Sequence, residues 1–295
     1  MPQAFSFSLP PRDVPLTVRL QVLFGGFLNQ FGWLFFGFGM IFVWLFLPQA
    51  DLTSFYRFHG PLDQTQGTVT ANQKTHFSEG GSKHSNGTPI YRHDYTFTVA
   101  GTTYSNASYA TGYTYQPGTS VTVQYPHGNP AVSRINGMHR TPFGPSTLIV
   151  LIFPLVGLCF LIPGLILGWK GDRLLANGKV AFGTFKSKEA TKTEINHQTV
   201  YKMTFEFTTD TGETCQTTTR SCEPNRLELQ PQHEVVYDPL TPSYATLVDG
   251  LPGSPHIDDR GVIQPATFGA AFRVTLLPAA AIIGNAACLL LKLVR

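Results

Sequence analysis

Histidine is the one residue type in this chain whose clustering could do chemistry. His59, His76, His84, His93 and His127 fall in or beside a single stretch, 51–145. Imidazoles that converge, each with an oriented partner, bind zinc or move protons near neutral pH. Their spacing argues against a closed metal site. His76 and His84 flank a run of turn-forming residues, and His93 takes an inward position in an alternating strand, where Met203 recurs later in the chain. Cys215 and Cys222 would lie ~23 Å apart on one extended strand. A disulfide needs Cα atoms within about 7 Å, so both read as free thiols unless a turn intervenes. Cys159 and Cys288 sit in apolar runs and read as packing residues. Asp258-Asp259 could pair two carboxylates, but its place in a loop reads as solvated surface. Asn86-Gly87-Thr88 and Asn106-Ala107-Ser108 match the acceptor pattern for N-glycosylation. No nucleophile elbow, His-Glu-x-x-His helix or phosphate loop occurs. On these grounds no catalytic, cofactor-binding or metal-ligating residue is assigned, and no cofactor is expected.

The elements that would position these residues come in two similar sets. Gly67-Thr68-Val69 returns as Gly178-Lys179-Val180, and the strand from Tyr91 to Phe97 returns from Tyr201 to Phe207. Gly101-Thr102-Thr103-Tyr104 returns as Gly212-Glu213-Thr214-Cys215, and Val123 to Pro130 as Val235 to Pro242. Repetition at a near-constant interval constrains architecture before any single motif does. Tyr91, His93, Tyr95, Phe97 and Val99 alternate with polar residues, as do Tyr201, Met203, Phe205 and Phe207. That period of two marks half-buried antiparallel strands. Turn-formers at 78–87 and 188–197 read as loops before each strand pair. Each copy then holds five to six short strands, enough for a small barrel or curled sheet. Oligonucleotide-binding and SH3-like barrels are both compatible.

Only 13% of the residues are charged, against ~25% in an average soluble protein. The deficit is concentrated between Arg19 and Asp51, between Arg140 and Lys170, and from Val274 to Leu291. Each run approaches or exceeds the ~20 residues needed to cross a hydrocarbon core. The expected fold class is therefore a membrane α plus β protein, with three transmembrane helices and two repeated small antiparallel β-domains. Its divisions are an N-terminal segment 1–21, helix one 22–47, β-domain copy one 51–145, helix two 146–169, β-domain copy two 170–265 and helix three 269–291. The first run is too long for the apolar core of a secretory signal, so it reads as an anchor. A net charge of +3 without a basic, aromatic-interleaved stripe is too small to argue for nucleic acid, and none is expected as a partner. No ionisable group lies deep in a helix, which disfavours a transporter. Asn29, Gln30 and Asn285 are the only deep polar candidates for a transport path.

Gly25, Gly32 and Gly39 recur every seven residues and would form a groove on helix one. Ala280, Gly284 and Cys288 offer a small-residue stripe on helix three to fill it. Pro154 and Pro163 leave two readings of helix two, a single crossing or a re-entrant dip. With the N-terminus inside, a single crossing places nine Lys/Arg on the inner flanks and five on the outer, while the re-entrant form scores ten against four. Length and the confinement of Cys215 and Cys222 to copy two favour the single crossing.

The order of these motifs carries a resemblance: a helix, Gly-x-Val, an alternating aromatic strand, then a Val-x-Val-x-Tyr strand running into a Pro-x-x-x-Pro turn. It resembles the bacterial membrane family known as domain of unknown function 3592, here in two tandem copies. The leader Arg173-Leu174-Leu175-Ala176-Asn177-Gly178 and the turn Asp238-Pro239-Leu240-Thr241-Pro242 look most like it, while Pro126-His127-Gly128-Asn129-Pro130 is a variant. The resemblance implies a membrane-tethered β-domain and carries over no catalytic residue. The expectation is an integral, multi-pass protein of the bacterial inner membrane with its N-terminus cytoplasmic, serving as a non-catalytic binding or scaffold module. Its partners would be the lipid bilayer and, through glycine-lined helix one, a membrane protein or a second copy. Two alternatives stand: a hydrolytic or metal-dependent membrane enzyme using histidines of copy one, and an accessory subunit of a transport assembly.

Overall fold

The computed structural model describes residues 9–81, 87–195, 197–229, 232–251, 255–258 and 261–294. It divides into two compact units, Gly39–Phe153 and a second made of Met1–Phe38 with Pro154–Arg295. Among the described residues, three helical stretches are long and apolar enough to cross a membrane: Phe27–Gln49, Pro145–Asn177 and Phe268–Leu293.

The unit Gly39–Phe153 is built on β1 (Leu62–Glu79), β2 (Thr88–Val99), β3 (Thr102–Thr111), β4 (Ser120–Pro126) and β5 (Arg134–Ile135), antiparallel in the order β3-β2-β1-β4-β5. Val69, Tyr95, Phe97, Val121, Val123, Tyr125, Ile135 and Met138 fill its core. The sheet curls until its far edges meet. Tyr109 of β3 exchanges backbone hydrogen bonds of 2.7 and 3.0 Å with His139, just past β5. At the base, Asp51 is 1% exposed and caps the short helix α3 (Leu52–Arg57) through the Ser54 amide at 2.8 Å. Here α1 and α2 are Leu16–Phe24 and Phe27–Phe46.

The second sheet has β6 (Lys179–Ile195), β7 (Gln198–Thr208), β8 (Thr214–Ser221), β9 (His233–Asp238) and β10 (Thr241–Leu247). Its order, β10-β9-β6-β7-β8, is the same path read from the other edge. Its edges are tied by Thr217 Oγ1, which donates to the Ala245 carbonyl at 2.7 Å. The short helix α5 (Pro224–Glu228) joins β8 to β9.

The two sheets agree in detail. Both first strands bulge twice, between Val69/Ala71 and Lys74/Ser78 in β1 and between Phe185/Ser187 and Ala190/Glu194 in β6. At the second bulge Thr75 Oγ1 donates to the Ile90 carbonyl at 2.8 Å, and Thr191 Oγ1 donates to the Val200 carbonyl at 2.7 Å. The bulge changes the phase of the partner strand. Ile90 and Val200 are therefore buried while Tyr91 and Tyr201, expected inward from strict alternation, are half-buried. This register also corrects the motif alignment. Gly67 corresponds to Gly183, not Gly178: a Cβ on either would come within 2.7 Å of the equivalent Val123 or Val235 side chain. The loop expected at 188–197 is strand as far as Ile195, because β6 and β7 extend as one long hairpin.

In the second unit the chain enters through α1, breaks at Gly25-Gly26 and continues as α2. Gly26 has φ +80, a conformation that glycine adopts without strain. The break strands the last carbonyls of α1. Asn29 Nδ2 donates to Leu23 O at 2.8 Å, and Gln30 Nε2 to Phe24 O at 2.7 Å and Val274 O at 2.8 Å. The deep amides thus complete a helix break. Asn285 Nδ2 donates to Ala281 O, four residues back on its own helix, at 2.7 Å.

Helix α4 (Ile152–Asn177) passes unbroken through Pro154 and Pro163. Its glycines face the α1–α2 arm in descending order. A Cβ on Gly168 would stand 2.6 Å from Leu23 O, and one on Gly164 2.9 Å from Asn29 N. Gly157 opposes the backbone of Phe36, and Gly32 of α2 lies against Leu161. The two helices are therefore antiparallel and close-packed through small residues. Helix α6 (Phe268–Leu293) packs by Ala271, Pro278 and Ala281, with Ala281 against Gly37. Of the expected groove, Gly32 packs on α4 and not on helix three, and Gly25 ends α1 at the break; Ala280 and Gly284, expected in the helix-three stripe, are exposed.

Candidate functional site

Among the described residues the histidines do not converge. His93 is fully buried, and its Nε2 accepts the Tyr115 amide at 2.9 Å, which leaves the proton on Nδ1. Burial, the larger cause, holds this ring below the usual histidine range. His127 is exposed and meets Asp63 at 3.1 Å, His59 stacks edge-on against Phe55, and His76 points outward from β1. His84 lies outside the described residues, as do Asn86 and Asp259. Among the described residues no three of His, Cys, Asp and Glu gather into a metal-binding group.

The other sequence candidates serve the fold. Asn106 donates to Ala131 O at 3.0 Å and Ser133 Oγ at 2.8 Å, so its amide is engaged inside the first sheet. Asp258 accepts the Val262 amide at 2.8 Å and Gln264 Nε2 at 2.7 Å, which closes a turn. All four cysteines are free thiols, and Cys159, expected to pack inside, is exposed on α4.

What the structure does assemble is a cleft beside the second sheet. Two lobes of about 340 Å³ each share the wall Leu247, Val248, Asp249 and Pro255. Strand β9 supplies Glu234 to one lobe, the turn after β10 supplies Asp249 to both, and His256 closes the rim. The other lobe holds Arg220, Ser221 and Glu223 from the end of β8 and the segment after it. Glu234 sits across the ladder from Phe182, in the least solvated strand of the sheet. Its Oε1 is shut off from solvent and has no hydrogen-bond partner. Burial, then the charge of Asp249, pushes the Glu234 carboxyl above the usual range. Among the described residues neither acid is paired with a cation.

Chemically this is a place to receive a group, and among the described residues Ser221 and His233 are engaged elsewhere. Ser221 Oγ already accepts the Glu223 amide at 3.0 Å, and His233 Nε2 donates to Leu227 O at 2.6 Å. An amine or guanidinium between Glu234 and Asp249 would satisfy Oε1 and relieve their repulsion. Sequence reasoning passed over these residues. The one available signal was a glutamate interrupting the apolar run of β9, His233-Glu234-Val235-Val236-Tyr237.

A family model described as "Domain of unknown function (DUF3592)" matches residues 65–139. That match spans the first sheet, from within β1 to the His139 bridge that closes it. No curated protein and no solved structure matches the chain.

Proposed function

We propose that the chain is a membrane-anchored, non-catalytic binding module whose ligand site is the cleft between Glu234, Asp249 and His256. The single observation that carries this is the solvent-excluded, unpartnered Oε1 of Glu234 facing a second acid. A protein keeps such a carboxylate at a cost to its own stability, and a ligand cation would offset that cost. The ligand is accordingly a small molecule or peptide bearing an amine or guanidinium. The experiment is a thermal-shift titration of the full chain in detergent with arginine amide and spermidine. Stabilisation is expected, and it should vanish in Glu234→Gln and Asp249→Asn. A shift that persists in both variants would remove the cleft from the argument.

The anchoring is a multi-pass insertion in an inner membrane with the N-terminus cytoplasmic. Support comes from the Lys/Arg excess on that side and from the three apolar helices. The antiparallel packing of α4 along the α1–α2 arm supports a full crossing of helix two. Arg12, ahead of α1, bonds the backbone of Leu175 and Ala176, so the N-terminal arm and the start of the second sheet share one end of the bundle. The second sheet is a diverged copy of the first. That reading rests on the shared strand order, the paired bulges and the Thr75 and Thr191 hydrogen bonds.

A further inference from the structure

We propose that the turn joining β9 to β10, together with the start of α1, forms a collar seated in the phospholipid headgroup layer, so that the second sheet is held against the bilayer and does not swing free. This rests on the membrane reading above and adds a specific surface to it.

The argument is one of depth. The apolar run of α4 ends at Trp169, which is 59% exposed, and Lys170 follows. A tryptophan followed by a basic residue marks a membrane–water boundary. Arg173 lies four residues beyond Trp169, or about 6 Å along the helix. A headgroup layer is roughly 5–8 Å thick on each side of the hydrocarbon. From this level outward a small cavity of about 190 Å³ is lined by Arg173, Leu174, Asn177, Asp238, Pro239 and Leu240. The turn therefore packs on the stretch of helix that leaves the hydrocarbon.

Leu240 at the tip of that turn is 82% exposed. Its presentation is rigid, because its amide donates to Asp238 Oδ1 at 2.9 Å and Asp238 is bound to Arg173 at 3.1 Å. Helix α1 runs antiparallel beside this stretch and brings a second apolar tip about one turn farther out. Arg19 stands 3.9 Å from Asp172, and Leu16, one turn earlier, is 70% exposed. The side chains of Arg19 and Arg173 keep roughly 45% of their surface. Lys170 Nζ lies over the Tyr244 ring at 4.6 Å, which ties β10 to the same stretch of helix. Exposed leucines beside half-exposed arginines suit the acyl–phosphate boundary, where apolar tips insert and cations meet phosphates.

The test uses the full chain with its four cysteines replaced and single nitroxide labels at Ile166→Cys, Leu16→Cys, Leu240→Cys and Gln198→Cys, in vesicles of phosphatidylcholine and phosphatidylglycerol. Collision rates with oxygen and with a water-soluble nickel complex report depth. Labels at 16 and 240 should fall between 166, in hydrocarbon, and 198, in water at the far tip of the β6–β7 hairpin. A label at 240 as water-exposed as 198, while 166 reports hydrocarbon, overturns the collar and leaves the membrane reading intact. Water exposure at 166 itself overturns both.

Discussion

Glu234 sits in an environment at odds with its own chemistry, with one carboxyl oxygen shut off from solvent and without a hydrogen-bond partner. Its carboxyl is raised by burial and by Asp249, so the folded protein holds a proton there more tightly than the unfolded chain does. Stability from this group is present at low pH and is lost as pH rises through the folded value. Glu234→Gln should therefore raise the melting temperature at pH 7 while removing amine binding, and the gain should shrink toward pH 4. A lower melting temperature at pH 7 would make Glu234 a structural residue. His93 has the opposite linkage. Its folded value is depressed, so its contribution is present above the ordinary histidine range and lost as pH falls through it. His93→Met, which borrows the side chain of the equivalent Met203, should be less stable because the Tyr115 amide loses its acceptor. Its stability should nonetheless fall less steeply between pH 7 and 5 than that of the parent chain. An unchanged slope in denaturant titrations would assign the pH dependence elsewhere.

At the scale of elements, the strands and the helices are matched by different devices. In each sheet a threonine hydroxyl fills the bulge of the long first strand and resets which face of the partner strand is buried. Losing that hydrogen bond in Thr191→Val should cost about 1 kcal/mol. The helices depend on missing side chains. Gly32 and Gly157 bring α2 and α4 together at distances where even a methyl group meets backbone. Gly32→Leu should destabilise the pair by about 1–3 kcal/mol or more, the usual cost of overpacking. Gly284→Leu should be tolerated, since nothing lies within 4 Å of that position. Detergent-dependent unfolding followed by tryptophan fluorescence separates them, and equal effects would contradict the assigned faces. Of the seven-residue glycine spacing, Gly32 makes a close helix contact, with α4 in place of the expected helix three. The spacing could not say that Gly32 faces α4 while Gly37, outside the pattern, faces α6.

For the whole molecule the decisive question is sidedness. With Thr102→Cys in place, a membrane-impermeant maleimide applied to intact cells should label position 102 and spare Cys222 until lysis. Labelling of both, or of neither, would mean that α4 does not cross. Much of this architecture was legible in the chain itself. Period-two alternation and long uncharged runs are local properties, and water reads them through one free-energy term, the burial of apolar surface. The sequence by itself therefore determined two strand-rich stretches set among three apolar helices. It did not determine the true counterpart of Gly67, because the two hairpins differ in length: β1 and β2 close at Glu79 and Thr88, whereas β6 and β7 close at Ile195 and Gln198. It did not reveal the cleft. Glu234 and Asp249 come from different elements, and their repulsion exists only once β10 and the turn after it fold back beside β9. Which face is apolar is written residue by residue, whereas which faces and charges meet is decided by chain closure in three dimensions.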